Sequence, residues 1–93
     1  MLNLDSGLSR EATIINELGL HARSAAKIAK LAQPATGSVW IAKQDQKADA
    51  SSIVDILTLA CEKGSKITIR IENKSDLNIL KAITELVKSG FEE

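Results

Sequence analysis

Apolar and polar positions divide this chain into stretches of two different periods. Over residues 11–16 they alternate, with Ala12 and Ile14 on one side and Thr13 and Ile15 on the other, which predicts a strand. Residues 17–21 contain Gly19 and read as a loop. From Ala22 the period lengthens. Ala25, Ile28, Ala29 and Ala32 recur at helical spacing, with Lys27 and Lys30 off that face. Pro34 forbids continuation, and Thr36-Gly37 turns the chain. The small alanines allow this helix to approach a sheet closely. Residues 38–43 (SVWIAK) form a β-rich run with Val39 and Ile41 on one face. Gln44-Asp45 makes the hairpin tip, and residues 46–49 return as a short strand. Ser52-x-x-Asp55 reads as a capping box that opens a second helix running to about Cys61, with Gly64 suited to its left-handed cap. Residues 66–72 (KITIRIE) are the clearest strand, with Ile67, Ile69 and Ile71 inward and Thr68 and Arg70 outward. Ser75 caps a last helix, whose apolar positions are Leu77, Ile79, Leu80, Ile83, Leu86 and Val87. Gly90 ends it, and Phe91 folds back on the last turn.

The predicted order is βαββαβα. Each strand has one strongly apolar side, and each helix has an apolar face to cover it. The economical architecture is an α/β (α+β) two-layer open-faced sandwich: a four-stranded sheet covered on one face by three helices. Residues 1–10 carry little pattern and read as a lead-in, with Leu2, Leu4 and Leu8 unassigned; residues 11–93 read as one domain. The second helix has more apolar surface than one stripe buries. Ile56, Leu59 and Ala60 make the core stripe, which leaves Ile53, Val54 and Leu57 facing outward as a patch for a partner.

Composition narrows the function. Twelve basic and twelve acidic residues give a net charge of zero, which disfavours a general nucleic-acid binder. One Trp, one Phe and no Tyr make no base-stacking platform. Cys61 is the only cysteine, so one chain holds neither a disulfide framework nor a cysteine zinc site, and it reads as a small apolar residue. Asp45, Asp49 and Asp55 lack metal-loop spacing, so no metal or cofactor is expected. No apolar run reaches the length of a membrane span, and the first ten residues lack the form of a secretory signal. A soluble, cytoplasmic protein is expected. Trp40 reads as packing or as part of a partly exposed sheet face, and Glu92-Glu93 as a solvated tail.

One constellation carries chemistry. His21, the only histidine, stands immediately before the first helix, and Gly19 permits an unusual backbone turn there. The first N–H groups of a helix lack internal partners, and with the helix dipole they receive an anion such as phosphate. Ala22, Arg23 and Ser24 form that helix start, and Arg23 adds a fork of donors. Imidazole, helix start and arginine together suit a phosphoryl acceptor. On spacing alone a surface or capping histidine is the commoner case, and a non-catalytic ligand-binding module remains a different reading of the same chain.

The stretch Gly19-Leu20-His21-Ala22-Arg23-Ser24-Ala25-Ala26 resembles the active-site signature of the HPr family, the histidine phosphocarriers of the phosphotransferase system. Ala50-Ser51-Ser52-Ile53 and the Lys63-Gly64 turn extend the resemblance over residues 11–91, and the element order agrees. The resemblance implies an antiparallel sheet. It implies a histidine, matching His21, that accepts phosphate on Nδ1 from phosphorylated enzyme I, itself charged by phosphoenolpyruvate, and passes it to an enzyme IIA domain. Arg23 matches the family arginine. Ser24 stands where the family usually has proline, which leaves its hydroxyl to cap the helix or touch phosphate. Ser52 matches a serine that an ATP-dependent HPr kinase/phosphorylase modifies in many members, and the implied docking surface includes Ile53, Val54 and Leu57. Ser51 stands where lysine is frequent and is a competing cap or target. Two branches fit the family, one for sugar uptake and one nitrogen-related and regulatory; the ending at residues 89–93 is similar to nitrogen-branch carriers.

Overall fold

The computed structural model describes residues 8–93, so Leu2 and Leu4 lie outside the described residues. Strand β1 (Ser9–Thr13) begins two residues ahead of the expected start, and Leu8 just before it packs against the core. It ends at Thr13, short of the expected residue 16, yet the alternation continues past it: Ala12 and Ile14 are buried, while Thr13 and Ile15 are exposed. Strands β2 (Val39–Lys43) and β3 (Gln46–Asp49) form the expected hairpin, with Gln44 taking the left-handed conformation at its tip. Strand β4 (Lys66–Ile71) completes a four-stranded antiparallel sheet of order β1-β4-β2-β3.

The register puts Ile69 opposite Ile41 and Ile67 opposite Ala12. With Val39, Ala48 and Ile71 they form one continuous apolar face. Three helices cover it: α1 (Ala22–Ala32), α2 (Ile53–Leu57) and α3 (Leu77–Lys88). Helix α1 buries Ala25, Ile28, Ala29 and Ala32, the positions its spacing predicts. Helix α3 buries Leu80, Ile83, Thr84 and Val87, with the Thr84 hydroxyl donating to Leu80 O at 2.7 Å. Phe91 turns back into the core at φ 61° and is fully enclosed. No helix among the described residues is long and apolar enough to cross a membrane.

The structure corrects three local expectations. Helix α2 stops at Leu57, well short of Cys61. Its last carbonyls are taken locally, Asp55 O by the Thr58 hydroxyl at 2.6 Å, Ile56 O by Leu59 N–H at 3.1 Å and Leu57 O by Ala60 N–H at 3.2 Å, while the Lys43 ammonium takes the Leu59 and Ala60 carbonyls just beyond the helix at 3.3 and 3.1 Å. Ala60, not Gly64, makes the left-handed turn beyond it, and Ala60 is exposed where Ile56 and Leu59 are buried. Gly64 instead serves the turn into β4, donating to Ile14 O at 2.7 Å. Second, Asn73 rather than Ser75 caps the last helical segment: its Oδ1 accepts from Ser75 N at 2.9 Å, one 3-10 turn ahead of α3. Third, Leu77 sits on the exposed rim of α3, outside the core.

One buried carboxylate closes the far end of the sandwich. Asp76 accepts from the backbone N–H of Thr36 and of Gly37, each at 2.9 Å, tying the loop after α1 to the start of α3. Asp76→Ala should strand both donors and lower stability by about 1–2 kcal/mol. Urea unfolding followed by circular dichroism measures this; an unchanged midpoint would show that water replaces the carboxylate without loss.

Candidate functional site

Backbone crowding shapes the turn that carries His21. Gly19 sits at φ 66°, and a Cβ there would lie 2.4 Å from Cys61 O. Leu20 N donates to the same carbonyl at 2.8 Å. Residues 19–20 are therefore pressed against the backbone at Cys61 and Glu62, where only glycine fits. The chain leaves this contact extended at His21 (φ −119°, ψ −177°), which makes His21 the N-cap of α1.

The cap is reciprocal. The Arg23 N–H donates to His21 Nδ1 at 3.3 Å, and the His21 N–H donates to Ser24 Oγ at 2.9 Å. Ser24 is fully buried, and its own proton lies between Gly19 O at 3.1 Å and His21 O at 3.2 Å. Of the two roles open to this serine, the structure shows the cap: its hydroxyl faces the turn and is enclosed. Ala22 and Arg23 are exposed, so the first turn of α1 opens to solvent beside the imidazole.

Glu93 departs from the solvated tail expected of it. Its Oε2 lies 2.8 Å from His21 Nε2, and its Oε1 accepts from Asn16 Nδ2 at 3.1 Å. Asn16 is buried and donates also to Gly19 O at 2.9 Å, so it joins the glycine turn to the chain end. Lys27, from α1, holds the returning backbone by donating to Phe91 O at 2.7 Å. The hydrogen bond from His21 holds the Glu93 carboxyl below the usual carboxylate range; burial opposes this, and Asn16 and Lys27 add to it. No local pattern connects residues separated by 72 positions. The only cue was the Gly90-Phe91 reversal, which sends the chain end back toward the first helix.

Ser52 caps α2, accepting from Asp55 N at 3.1 Å. The reciprocal half of that capping box is absent, because the Asp55 carboxylate turns to Asp49 N at 2.7 Å. Ser51 does not act as the cap; its hydroxyl and N–H both go to Asp49 Oδ1, at 2.7 and 2.9 Å. Ile53 and Leu57 are 39% and 38% exposed and Val54 is 76% exposed, which makes the outward patch real. Ile15 and Leu18, ahead of His21, are also exposed apolar residues. The strand alternation had assigned Ile15 only to the opposite side, and nothing marked Leu18. Cys61 is buried beside the glycine contact, and burial pushes its thiol up, as befits an inert apolar residue. Trp40 lies on the open face of the sheet, far from this chemistry in role: its indole N–H donates to Glu72 at 2.8 Å and Lys47 stands 4.2 Å from its ring.

The open-faced βαββαβα sandwich thus presents a histidine nitrogen at the exposed start of its first helix. The family model described as "PTS HPr component phosphorylation site" matches residues 8–89. Phosphocarrier protein HPr of Neisseria meningitidis serogroup A is 33% identical over 86 residues, 92% of this chain and 97% of that protein. Phosphocarrier protein NPr of Shewanella violacea is 38% identical over 86 residues, 92% and 94% of the two chains. Among solved structures, HPr-C-His from Thermoanaerobacter tengcongensis superposes with TM-score 0.85 at 30% identity, covering 91% of this chain and 96% of the other. HPr from Bacillus anthracis gives 0.79 at 30% identity, covering 86% and 95%. The chain belongs to the HPr family of phosphocarriers of the phosphotransferase system.

Gly19→Ala tests the crowded turn. A methyl group at positive φ and against a carbonyl must displace the segment, so the variant should lose about 2 kcal/mol or more. Thermal unfolding gives the loss, and the His21 ring resonances should move with it. A wild-type melting temperature would show that the turn tolerates a side chain.

Proposed function

We propose that His21 is the phosphoryl acceptor of this carrier. It takes the group on Nδ1 from phosphorylated enzyme I, charged by phosphoenolpyruvate, and passes it to a histidine of an enzyme IIA domain. The observation that carries this reading is that Nδ1 accepts a hydrogen bond from the Arg23 N–H at the open start of α1. An accepting nitrogen bears its lone pair, so Nδ1 is the nucleophile. The contact is long at 3.3 Å, hence readily exchanged.

The carrier does little covalent chemistry. The Nδ1 lone pair forms the new bond to phosphorus as the donor's bond to phosphorus breaks, its electron pair remaining with the donor. The Arg23 N–H then loses its imidazole acceptor and faces a phosphoryl oxygen. With the N–H groups of Ala22 and Ser24 and the positive end of the α1 dipole, it stabilises the transferred charge. The exposed Arg23 guanidinium completes the ring of donors. Because the site faces solvent, these interactions are moderate, which suits a group that must leave again.

Docking falls to the exposed apolar residues Ile53, Val54 and Leu57 beside the histidine helix; enzyme I and enzyme IIA are the partners this surface would serve in turn. Ser52, at the base of that patch, is the proposed target of an HPr kinase/phosphorylase. A phosphate there adds a charge of about −1.5 to −2 next to the patch and hinders docking. The reading places the protein in the cytoplasm. The 38% identity to an NPr supports a nitrogen-branch carrier as the second reading, separable from the sugar branch by comparing the two enzymes I as donors.

His21→Ala should take up no phosphate from phosphoenolpyruvate plus enzyme I, whereas the wild type should gain one acid-labile, base-stable phosphate; equal labelling of both would overturn the assignment, and a wild type that stays unlabelled would favour a ligand-binding module. Arg23→Ala should fold normally and transfer about ten- to a hundredfold more slowly. Val54→Glu should weaken docking about tenfold with the melting temperature unchanged, read by titrating the transfer rate against enzyme I.

A further inference from the structure

We propose, building on the reading of His21 as the phosphoryl acceptor, that Glu93 is a positioning residue: its carboxylate selects the imidazole tautomer that leaves Nδ1 able to attack. A neutral imidazole carries one proton on either nitrogen. If the proton sat on Nδ1, the ring would meet the Arg23 N–H donor to donor and could not attack phosphorus. If it sits on Nε2, both neighbours are satisfied at once. Nε2–H donates to Glu93 Oε2 at 2.8 Å, and Nδ1 accepts from Arg23 N at 3.3 Å.

The carboxylate is held in place from three sides. Asn16, buried and also bonded to Gly19 O, donates to its other oxygen; Lys27 anchors the backbone at Phe91; Phe91 itself is sunk in the core. The same contact persists through the reaction. As Nδ1 gains its bond to phosphorus the ring becomes cationic, the Nε2 proton stays where it is, and the hydrogen bond to Glu93 becomes an ion pair. Glu93 thus favours the phosphorylated ring as well as preparing the free one. It touches neither phosphorus nor donor, so it acts only through His21.

The test uses the full chain with Glu93→Ala and Glu93→Gln. The 15N shifts of His21 at neutral pH report the tautomer without any phosphoryl donor, so this arm stands even if the transfer reading fails. Wild type should show a protonated Nε2 and a bare Nδ1. Glu93→Ala should shift population toward the Nδ1–H form and slow phosphate uptake from phosphorylated enzyme I about tenfold, with melting unchanged. Glu93→Gln keeps an acceptor oxygen and should recover part of both effects. Unchanged 15N shifts in Glu93→Ala would overturn the proposal whatever the rate. A shifted tautomer with a wild-type uptake rate would overturn it equally.

Discussion

The close approach of the Gly19 backbone to Cys61 and Glu62 determines where the reactive nitrogen stands. With no side chain in the way, the Leu20 N–H reaches the Cys61 carbonyl and the chain turns sharply at the end of the first strand. His21 then enters α1 extended, as its cap, with its ring aimed back over the first turn. Had the turn been wider, the imidazole would have pointed into solvent, and neither Arg23 N nor Glu93 would lie within reach of its nitrogens. The serine at position 24 belongs to the same constraint. Its buried hydroxyl binds the turn on both sides, supplying through hydrogen bonds the rigidity that the family's proline supplies through its ring.

Period-based reading recovered the sheet and the two long helices because their apolar faces are regular. Ile67, Ile69 and Ile71 can serve only a strand with one buried side, and Ala25, Ile28, Ala29 and Ala32 only a helix laid close on a sheet. It marked His21 and Arg23 as candidates because both lie within one turn of a helix start. It failed where a longer-range contact decides. Helix α2 ends early in tight bonds to Ile56 O and Leu57 O and the left-handed turn at Ala60, and the carbonyls just beyond are held by Lys43 of β2, a partner that a sequence window cannot pair with them. Glu93 reads as a charged tail because its partners, Asn16 and His21, are more than seventy positions away. Ser51 and Ser52 are alike in sequence, and only the direction of Asp49 and Asp55 tells the helix cap from its neighbour.

Net charge bears on how the proposed docking surface would work. With equal numbers of acids and bases the protein exerts little long-range steering. On the proposed reading, recognition would rest on contact through the small exposed apolar group on α2. A helix of five residues cannot bury its circumference, so its shortness is what leaves Val54 and its neighbours available. The same shortness means that α2 owes its existence to packing through Ile56 and Leu59 rather than to its own helical preference.

The strand order has a consequence for how the protein is made. Strand β4 lies between β1 and β2 and is the last strand in the chain, so β1 has no partner until residue 66 and beyond have been synthesised. Before then only the β2–β3 hairpin can pair, and an eleven-residue α1 is marginal in water by itself. The emerging chain thus carries its histidine on a segment with no fixed geometry until Lys66–Ile71 has been made, and the sheet condenses around a central strand that arrives late. Assembly of this topology is dominated by non-local pairing, which makes it slower than that of a helical protein of equal length and leaves β1 an unpaired edge for the chaperones of the nascent chain to shield.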